Sequence, residues 1–216
     1  LKNNVTNYVF IDEVQNVKEF EKLLEGLYVH QNIDLYVTGS NAFLLSSELA
    51  TLLTGRAYEI HVLPFSFAEF ISFTGKSNNL DRAFAEYLRT GGFPEAVRLS
   101  ADGNQYTLDY LQMVFNNIYS NDICARRSIY SEESYLDVVN FLIDSIGSNV
   151  SASSIANTLK ANKKPIDNKT VSKYIDSLVE SYLFYRVKRY DIKGKQHLAT
   201  QEKYYLVDLG FRNALL

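Results

Sequence analysis

The chain has 216 residues, of which 46% are hydrophobic and 22% charged, and its formal net charge is −3. This composition is typical of a folded globular protein and argues against intrinsic disorder. No apolar run approaches the roughly 18 residues of a membrane span, no signal peptide is visible, and a single cysteine with three histidines offers neither a disulfide nor a zinc cluster. We therefore expect a cytoplasmic protein with no membrane partner.

The first elements alternate between strand and helix. Tyr8 to Ile11 is an unbroken apolar run of β-forming residues, which predicts a strand buried on both faces. Asn16 is placed to cap a helix whose apolar residues recur at helical spacing. Further strands are predicted over 33–38 and 57–62, with a helix over 43–53 between them. This order predicts the α/β class with a parallel sheet.

The second half of the chain reads as helices followed by a hairpin. Ser131 is predicted to cap one helix, Ser151 or Ser153 a second and Asn168 a third. Two strand-like segments follow, and a basic turn around Gly194 joins them. Helices in this number and order before a β-hairpin are typical of a winged-helix domain.

These elements divide the chain into four predicted regions. The regions are a partial P-loop sheet over 1–63, a helical connector over 64–130, a winged-helix domain over 131–207, and the start of a further segment over 208–216.

Two carboxylates end the first predicted strand. Asp12 and Glu13 directly follow the apolar residues Tyr8 to Ile11, which is the Walker B pattern. At the carboxyl end of a parallel strand an Asp can hold Mg²⁺ through water, and the next carboxylate can polarise the attacking water in phosphoryl transfer. The alternative is that any buried strand can end in two acids at its solvated rim.

Several short motifs in a fixed order resemble one family, the bacterial and archaeal AAA-type P-loop ATPases with a winged-helix half of unassigned function. The matching pieces are Phe10 to Gln15, Thr38 to Ala42, Gly55-Arg56, Pro64 to Phe70, Gly91 to Glu95, Tyr119 to Ile123 and Lys203 to Asp208.

The resemblance implies ATP and Mg²⁺ as cofactors and a role for each matching site residue. Asp12 would hold Mg²⁺, Glu13 would activate water, and Ser40 or Thr38 would be the polar group near the γ-phosphate. Arg56 resembles the phosphate-sensing or arginine-finger residue, and self-association through the ATPase half would follow. The alternative for Arg56 is a surface residue at a helix end.

One motif of that family is missing. The chain contains no G-x-x-x-x-G-K-[ST] loop, which cradles the phosphates in P-loop proteins. It begins at Leu1 and its only methionine is Met113, so we expect this loop in an upstream part. The whole protein is expected to be an ATPase, whereas this chain alone is not expected to bind or hydrolyse ATP. Family members often continue into a nuclease-like domain, of which Asp208 would be a ligand.

The charge is concentrated in one segment. Residues 160–203 hold 11 Lys and Arg against 5 Asp and Glu, a local balance of +6, which suggests contact with a polyanion. Double-stranded DNA is the predicted partner, with the N-terminus of the third helix also favouring phosphate, and Arg186 and Lys188 add to the basic hairpin. The candidate contacts are Asn168, Lys169, Ser172, Lys173, Arg189, Lys193 and Lys195. The alternative is a non-catalytic module that binds DNA or a protein.

Overall fold

The computed structural model describes residues 5–39, 57–124, 129, 131–188 and 201–216. The chain divides into two compact units, Leu1–His61 and Val62–Leu216. The predicted helix over 43–53 lies outside the described residues.

The N-terminal unit contains a pair of parallel strands and one helix. Its elements are β1 (Asn7–Ile11), a short 3₁₀ turn (Val14–Asn16), α1 (Phe20–Tyr28) and β2 (Ile33–Val37). The strands pair in parallel with Ile11 opposite Val37, which confirms the predicted direction of pairing. Val14 and Leu24 are buried between the strands and the helix.

One face of this strand pair is exposed, which corrects the prediction that β1 is buried on both faces. Tyr8 is 62% and Phe10 73% exposed, and the Phe10 ring stacks on Tyr36 with 4.9 Å between ring centroids. No other described element covers this side of the pair within the unit. Within the described residues, the apolar run therefore marks a strand without marking burial of both of its faces.

Two other predictions for this unit are wrong. Residues 57–62 form no strand, and Tyr58 is 90% exposed, because no described strand pairs with this segment and a strand needs a neighbour for its backbone hydrogen bonds. Asn16 caps no α-helix. The chain first turns to bury Val14, and α1 begins only at Phe20.

The C-terminal unit begins with a run of helices. These are α2 (Phe67–Thr74), α3 (Leu80–Thr90), α4 (Pro94–Leu99), α5 (Asn104–Asn117) and a π-helix (Ile118–Cys124). Ser66 and Glu69 form a reciprocal capping box at the start of α2. Among the described helices, none has the length and apolar character to cross a membrane.

The elements predicted for the second half of the chain are present in the predicted order. They are α6 (Glu132–Asp144), α7 (Ala152–Ala161), α8 (Asn168–Glu180), β3 (Phe184–Lys188) and β4 (Glu202–Leu206). A further helix that was not predicted, α9 (Leu209–Leu215), follows them. Strands β3 and β4 pair antiparallel, with Phe184 opposite Leu206. Ser131 and Ser151 cap α6 and α7 as predicted, but the cap of α8 is Asp167 and not Asn168.

A single hydrophobic core runs through much of this unit, from Ala96 on α4 to Ala214 on α9. Its largest side chains include Tyr135, Phe184 and Phe211, each at most 1% exposed. Val150, just before α7, pairs its backbone with Glu202 of β4 in both directions, at 2.8 and 2.9 Å. The strand pair is thereby attached to the helices on which it packs.

Candidate functional site

The first candidate site lies where the two parallel strands end. Because Ile11 pairs with Val37, the next residues, Asp12 and Thr38, are neighbours. The Thr38 hydroxyl donates a hydrogen bond to the Asp12 carboxylate and accepts one from the Glu13 backbone amide at 3.0 Å. We call Asp12, Glu13 and Thr38 the strand-end corner.

Backbone hydrogen bonds fix this corner in place. The Thr38 amide donates to the Ile11 carbonyl at 2.9 Å, and the Val14 amide donates to the Thr38 carbonyl at 3.1 Å. Glu13 has φ 48° and ψ 55°, in the left-handed region, which is uncommon for a residue with a side chain. Such a conformation costs energy, and it is often found at functional sites.

The structure therefore brings together three of the predicted ATPase residues. Ser40 and Arg56 lie outside the described residues, so the hydroxyl seen in contact with Asp12 is that of Thr38. No group of three His, Cys, Asp or Glu side chains within the described ranges could form a metal cluster. A single carboxylate beside a hydroxyl suits a cation held largely through water, as Mg²⁺ commonly is.

The second candidate site is the exposed face of α8. One side of this helix is buried in the core, through Val171, Tyr174, Ile175 and Leu178. The predicted contacts on the opposite side, Asn168, Lys169, Ser172 and Lys173, are all exposed. The Asn168 amide group also donates to the Ser153 hydroxyl at 3.2 Å, which ties the start of α8 to α7.

The N-terminus of α8 already holds a carboxylate, which corrects the prediction that it favours phosphate. Asp167 Oδ1 accepts hydrogen bonds from the amides of Lys169 and Thr170 at 2.9 and 3.0 Å. The Thr170 hydroxyl donates to Asp167 Oδ2 at 2.5 Å. This hydrogen bond has the largest effect on the pKa of Asp167, which it and the two amide hydrogen bonds lower. A phosphate at this helix end would meet both occupied donors and a like charge.

Two of the basic residues in the +6 segment are engaged by carboxylates. Lys164 Nζ lies 2.9 Å from Asp137 and 3.1 Å from Glu133 on α6, and hydrogen bonds to these carboxylates raise the pKa of Lys164. Arg186, expected to add to the basic hairpin, pairs with Asp176 at 2.5 Å. Arg189, Lys193 and Lys195 lie outside the described residues.

A third polar centre was assigned wrongly from sequence. Asp208, considered as a nuclease ligand, is only 5% exposed and caps α9. Its carboxylate accepts hydrogen bonds from the backbone amides of Gly92, at 2.5 Å, and Gly210, at 2.8 Å. Burial raises the pKa of Asp208, although these hydrogen bonds act in the opposite direction. The carboxylate is thus occupied by the protein's own backbone.

Three of the motifs that carry the family resemblance meet around Asp208. They are Pro64 to Phe70, Gly91 to Glu95 and Lys203 to Asp208. A Cβ at Gly91, whose φ is +80°, would lie 1.9 Å from Asp208 Oδ1, and one at Gly92 would lie 2.3 Å from the Phe65 carbonyl oxygen. The Phe65 amide donates to the Gly92 carbonyl at 2.7 Å, and Tyr87 donates its hydroxyl to the Phe65 carbonyl. We call Asp208, Gly91, Gly92 and Gly210 the Asp208 clamp. The paired glycines before Phe93-Pro94 are visible in the sequence, but nothing local to them marks Asp208 as their partner.

Two family models match the chain, one at each end. Residues 81–216 match a family described as "Domain of unknown function (DUF8612)", and residues 1–71 match a family described as "AAA domain". In fold, the chain resembles a Walker-type ATPase of Pyrococcus abyssi, with a TM-score of 0.60 at 16% identity over 97% of this chain and 63% of that one.

Two uncharacterized proteins are similar in sequence over nearly the whole chain. One, from Haemophilus influenzae, is 42% identical over 208 residues, which cover 95% of this chain and 51% of that protein. The other, from Methanocaldococcus jannaschii, is 27% identical over 215 residues, which cover 94% and 47%. The chain thus spans about half the length of the curated relatives it matches. It belongs to the family described as "Domain of unknown function (DUF8612)" and is related at its N-terminal end to AAA-type P-loop ATPases.

Proposed function

We propose that the whole protein is an AAA-type ATPase that contacts double-stranded DNA through a winged-helix module made of α6, α7, α8, β3 and β4. The observation that carries the DNA contact is the exposed face of α8, where Lys169 and Lys173 flank Ser172 opposite a fully packed apolar side. A helix presented in this way, followed by an antiparallel strand pair, is the arrangement that winged helices place against a duplex.

Charge on α8 supports the same conclusion. Asp176 is the acidic residue that would oppose a polyanion in the middle of the helix, but its carboxylate is paired with Arg186. Lys169 and Lys173 are the exposed cations of this helix face, and lysines in such positions neutralise backbone phosphates. Arg189, Lys193 and Lys195 would add further phosphate contacts from the segment between β3 and β4.

Fluorescence anisotropy of a labelled duplex, titrated at several salt concentrations, tests this contact. We expect micromolar binding that weakens steeply with salt and is nearly abolished by the pair Lys169→Glu and Lys173→Glu. The matched control is the pair Lys18→Glu and Lys22→Glu, which changes the net charge equally at exposed positions of the N-terminal unit. The absence of binding at low salt, or equal losses in both pairs, would rule out the α8 contact.

The strand-end corner supports the ATPase part of the proposal. Asp12 would hold Mg²⁺ through water, Thr38 would orient its carboxylate, and Glu13 would activate the water that attacks the γ-phosphate. Tyr8 and Phe10 form an exposed aromatic face on β1. Such a face supports the hypothesis that β1 and β2 belong to a larger sheet in the whole protein.

Hydrolysis by the whole protein tests these roles. We expect Glu13→Gln to lower the rate of ATP hydrolysis by at least about 100-fold while ATP still binds, because only the activation of water is lost. Glu25→Gln, at an exposed position on α1, is the control and should leave hydrolysis unchanged. This chain alone should show no ATP binding by isothermal titration, and micromolar binding would contradict the expectation that it needs a phosphate-binding loop outside this chain.

A protein-binding role for α8 is the second candidate, because Asp167 places a carboxylate at the end of the helix that would approach a phosphate. A partner protein whose affinity is unchanged when Lys169 and Lys193 are reversed to Glu would favour this role over DNA.

A further inference from the structure

Arg186 connects α8 to both strands of the hairpin. Its Nη2 donates to Asp176 Oδ1 on α8 at 2.5 Å. Its Nε lies 3.3 Å from Glu202 Oε2 on β4, an ion-pair contact without hydrogen-bond geometry. Tyr204 donates its hydroxyl to the same Glu202 oxygen at 2.6 Å, and the guanidinium lies 5.8 Å from the centre of the Tyr204 ring. One side chain thus binds partners on two other elements.

Lys188 lies on the same face of β3 as Arg186. Side chains two residues apart on a strand share a face, so Arg186 and Lys188 lie on the same side of β3 as Phe184, which is buried in the core. Since Arg186 reaches α8 from this face, Lys188 is presented on the α8 side as well. Lys188 is exposed, and Tyr185 and Val187 occupy the opposite face.

The guanidinium is poorly placed to be a phosphate contact itself. Its positive charge is shared between two carboxylates, and its side chain is half-buried. A guanidinium can serve both partners because its planar fork presents several donors in fixed directions. A lysine ammonium in its place is a point charge on a flexible chain and would not hold Asp176 and Glu202 together.

Resting on the DNA contact proposed above, we propose that Arg186 is a positioning residue of the duplex-binding surface. It fastens β3 to α8 so that Lys188 reaches a phosphate of the duplex bound at Lys169 and Lys173. Arg186 acts through Lys188 and contributes no phosphate contact of its own.

Salt-dependent duplex titrations of the unaltered chain, Lys188→Met, Arg186→Lys and the double variant test this role. Loss of the Lys188 contact should reduce the slope of log affinity against log salt by about 0.9, and affinity by about 8-fold at 0.1 M salt. Arg186→Lys should show the same losses although its charge is kept, and the double variant should show no further loss. Stoichiometric titration gives the active fraction of each variant, so a folding defect lowers the stoichiometry and not the affinity.

Other outcomes overturn the inference in distinguishable ways. If the unaltered chain binds no duplex at low salt, the proposed DNA contact fails and the positioning role with it. If it binds and Arg186→Lys keeps the full slope and affinity, only the positioning role is overturned. A further loss in the double variant shows that the two residues act independently and overturns it equally.

Discussion

Each unit of this protein has an aspartate directly after an apolar strand-like run, and the two aspartates differ in exposure and in the groups that donate hydrogen bonds to them. Asp12 follows Tyr8 to Ile11, and Asp208 follows Tyr205, Leu206 and Val207. Asp12 is exposed and accepts a hydrogen bond from a threonine hydroxyl, whereas Asp208 is 5% exposed and accepts from two backbone amides.

The surroundings, and not the local sequence, separate these two residues. Among the described residues, the hydrophobic core of the N-terminal unit consists of buried Val14 and Leu24 with three partly buried neighbours. The core of the C-terminal unit extends from Ala96 to Ala214. A carboxylate at the rim of a small core stays accessible to a ligand, and one inside a large core must be satisfied by the protein itself.

Removing each carboxylate in turn should show this difference most strongly. Asp208→Ala leaves the buried amides of Gly92 and Gly210 without an acceptor, and we expect the free energy of unfolding to fall by about 3 kcal/mol. Asp12→Ala should leave it nearly unchanged, as should Asp81→Ala, the exposed control on α3. Urea denaturation of the three variants measures the difference. A similar loss for Asp12 would show that the strand-end corner is structural.

The rates of amide hydrogen exchange should show the next largest difference between the two units. The amides of β1 lie over a small core, so we expect them to exchange at least roughly 100-fold faster than the amides of α6 around Val138 and Leu142, both fully buried. Hydrogen-exchange mass spectrometry on the chain gives both rates in one experiment. Equal protection would mean that the N-terminal unit is as stable as the larger core.

The sequence predicts features that depend on neighbouring residues. Ser131 and Ser151 cap helices because a serine before an apolar stripe satisfies free amides locally. The meeting of Asp12 and Thr38 was also predictable, because the carboxyl ends of adjacent parallel strands lie at one edge. Even here the observed cap of α8 lies one residue before the predicted one. Asp167 offers two carboxylate oxygens to the Lys169 amide and to the amide and hydroxyl of Thr170, whereas the Asn168 side chain has only one oxygen.

Features that depend on distant residues were not predictable. Gly92 and Asp208 are 116 positions apart, and nothing local to either marks the other as its partner. Arg186 looks like a free basic residue until the fold brings Asp176 and Glu202 beside it. The exposure of Phe10 likewise depends on which strands surround β1, which an apolar run does not specify.

The pH dependence of stability should identify Asp208 as the buried member of the pair. Burial raises its pKa in the folded chain above the ordinary value of 3.8, so between these values the folded state binds more protons than the unfolded state. Stability from this group is therefore present below pH 3.8 and falls as the pH rises through the folded pKa. The difference in free energy of unfolding between the unaltered chain and Asp208→Asn should fall across that window. A difference that does not change with pH would contradict the raised pKa.

The smallest expected effect concerns the carboxylate at the start of α8. Asp167→Ser keeps a side-chain acceptor for the helix amides but removes the negative charge that opposes a phosphate. We expect duplex affinity to rise by a factor of about two to five while the helix content is unchanged. Asp102→Ser, at an exposed position before α5, is the control and should leave affinity unchanged. If Asp167→Ser also has no effect, the N-terminal end of α8 does not face the duplex, and the contact must come from the part of the exposed helix face around Ser172 and Lys173.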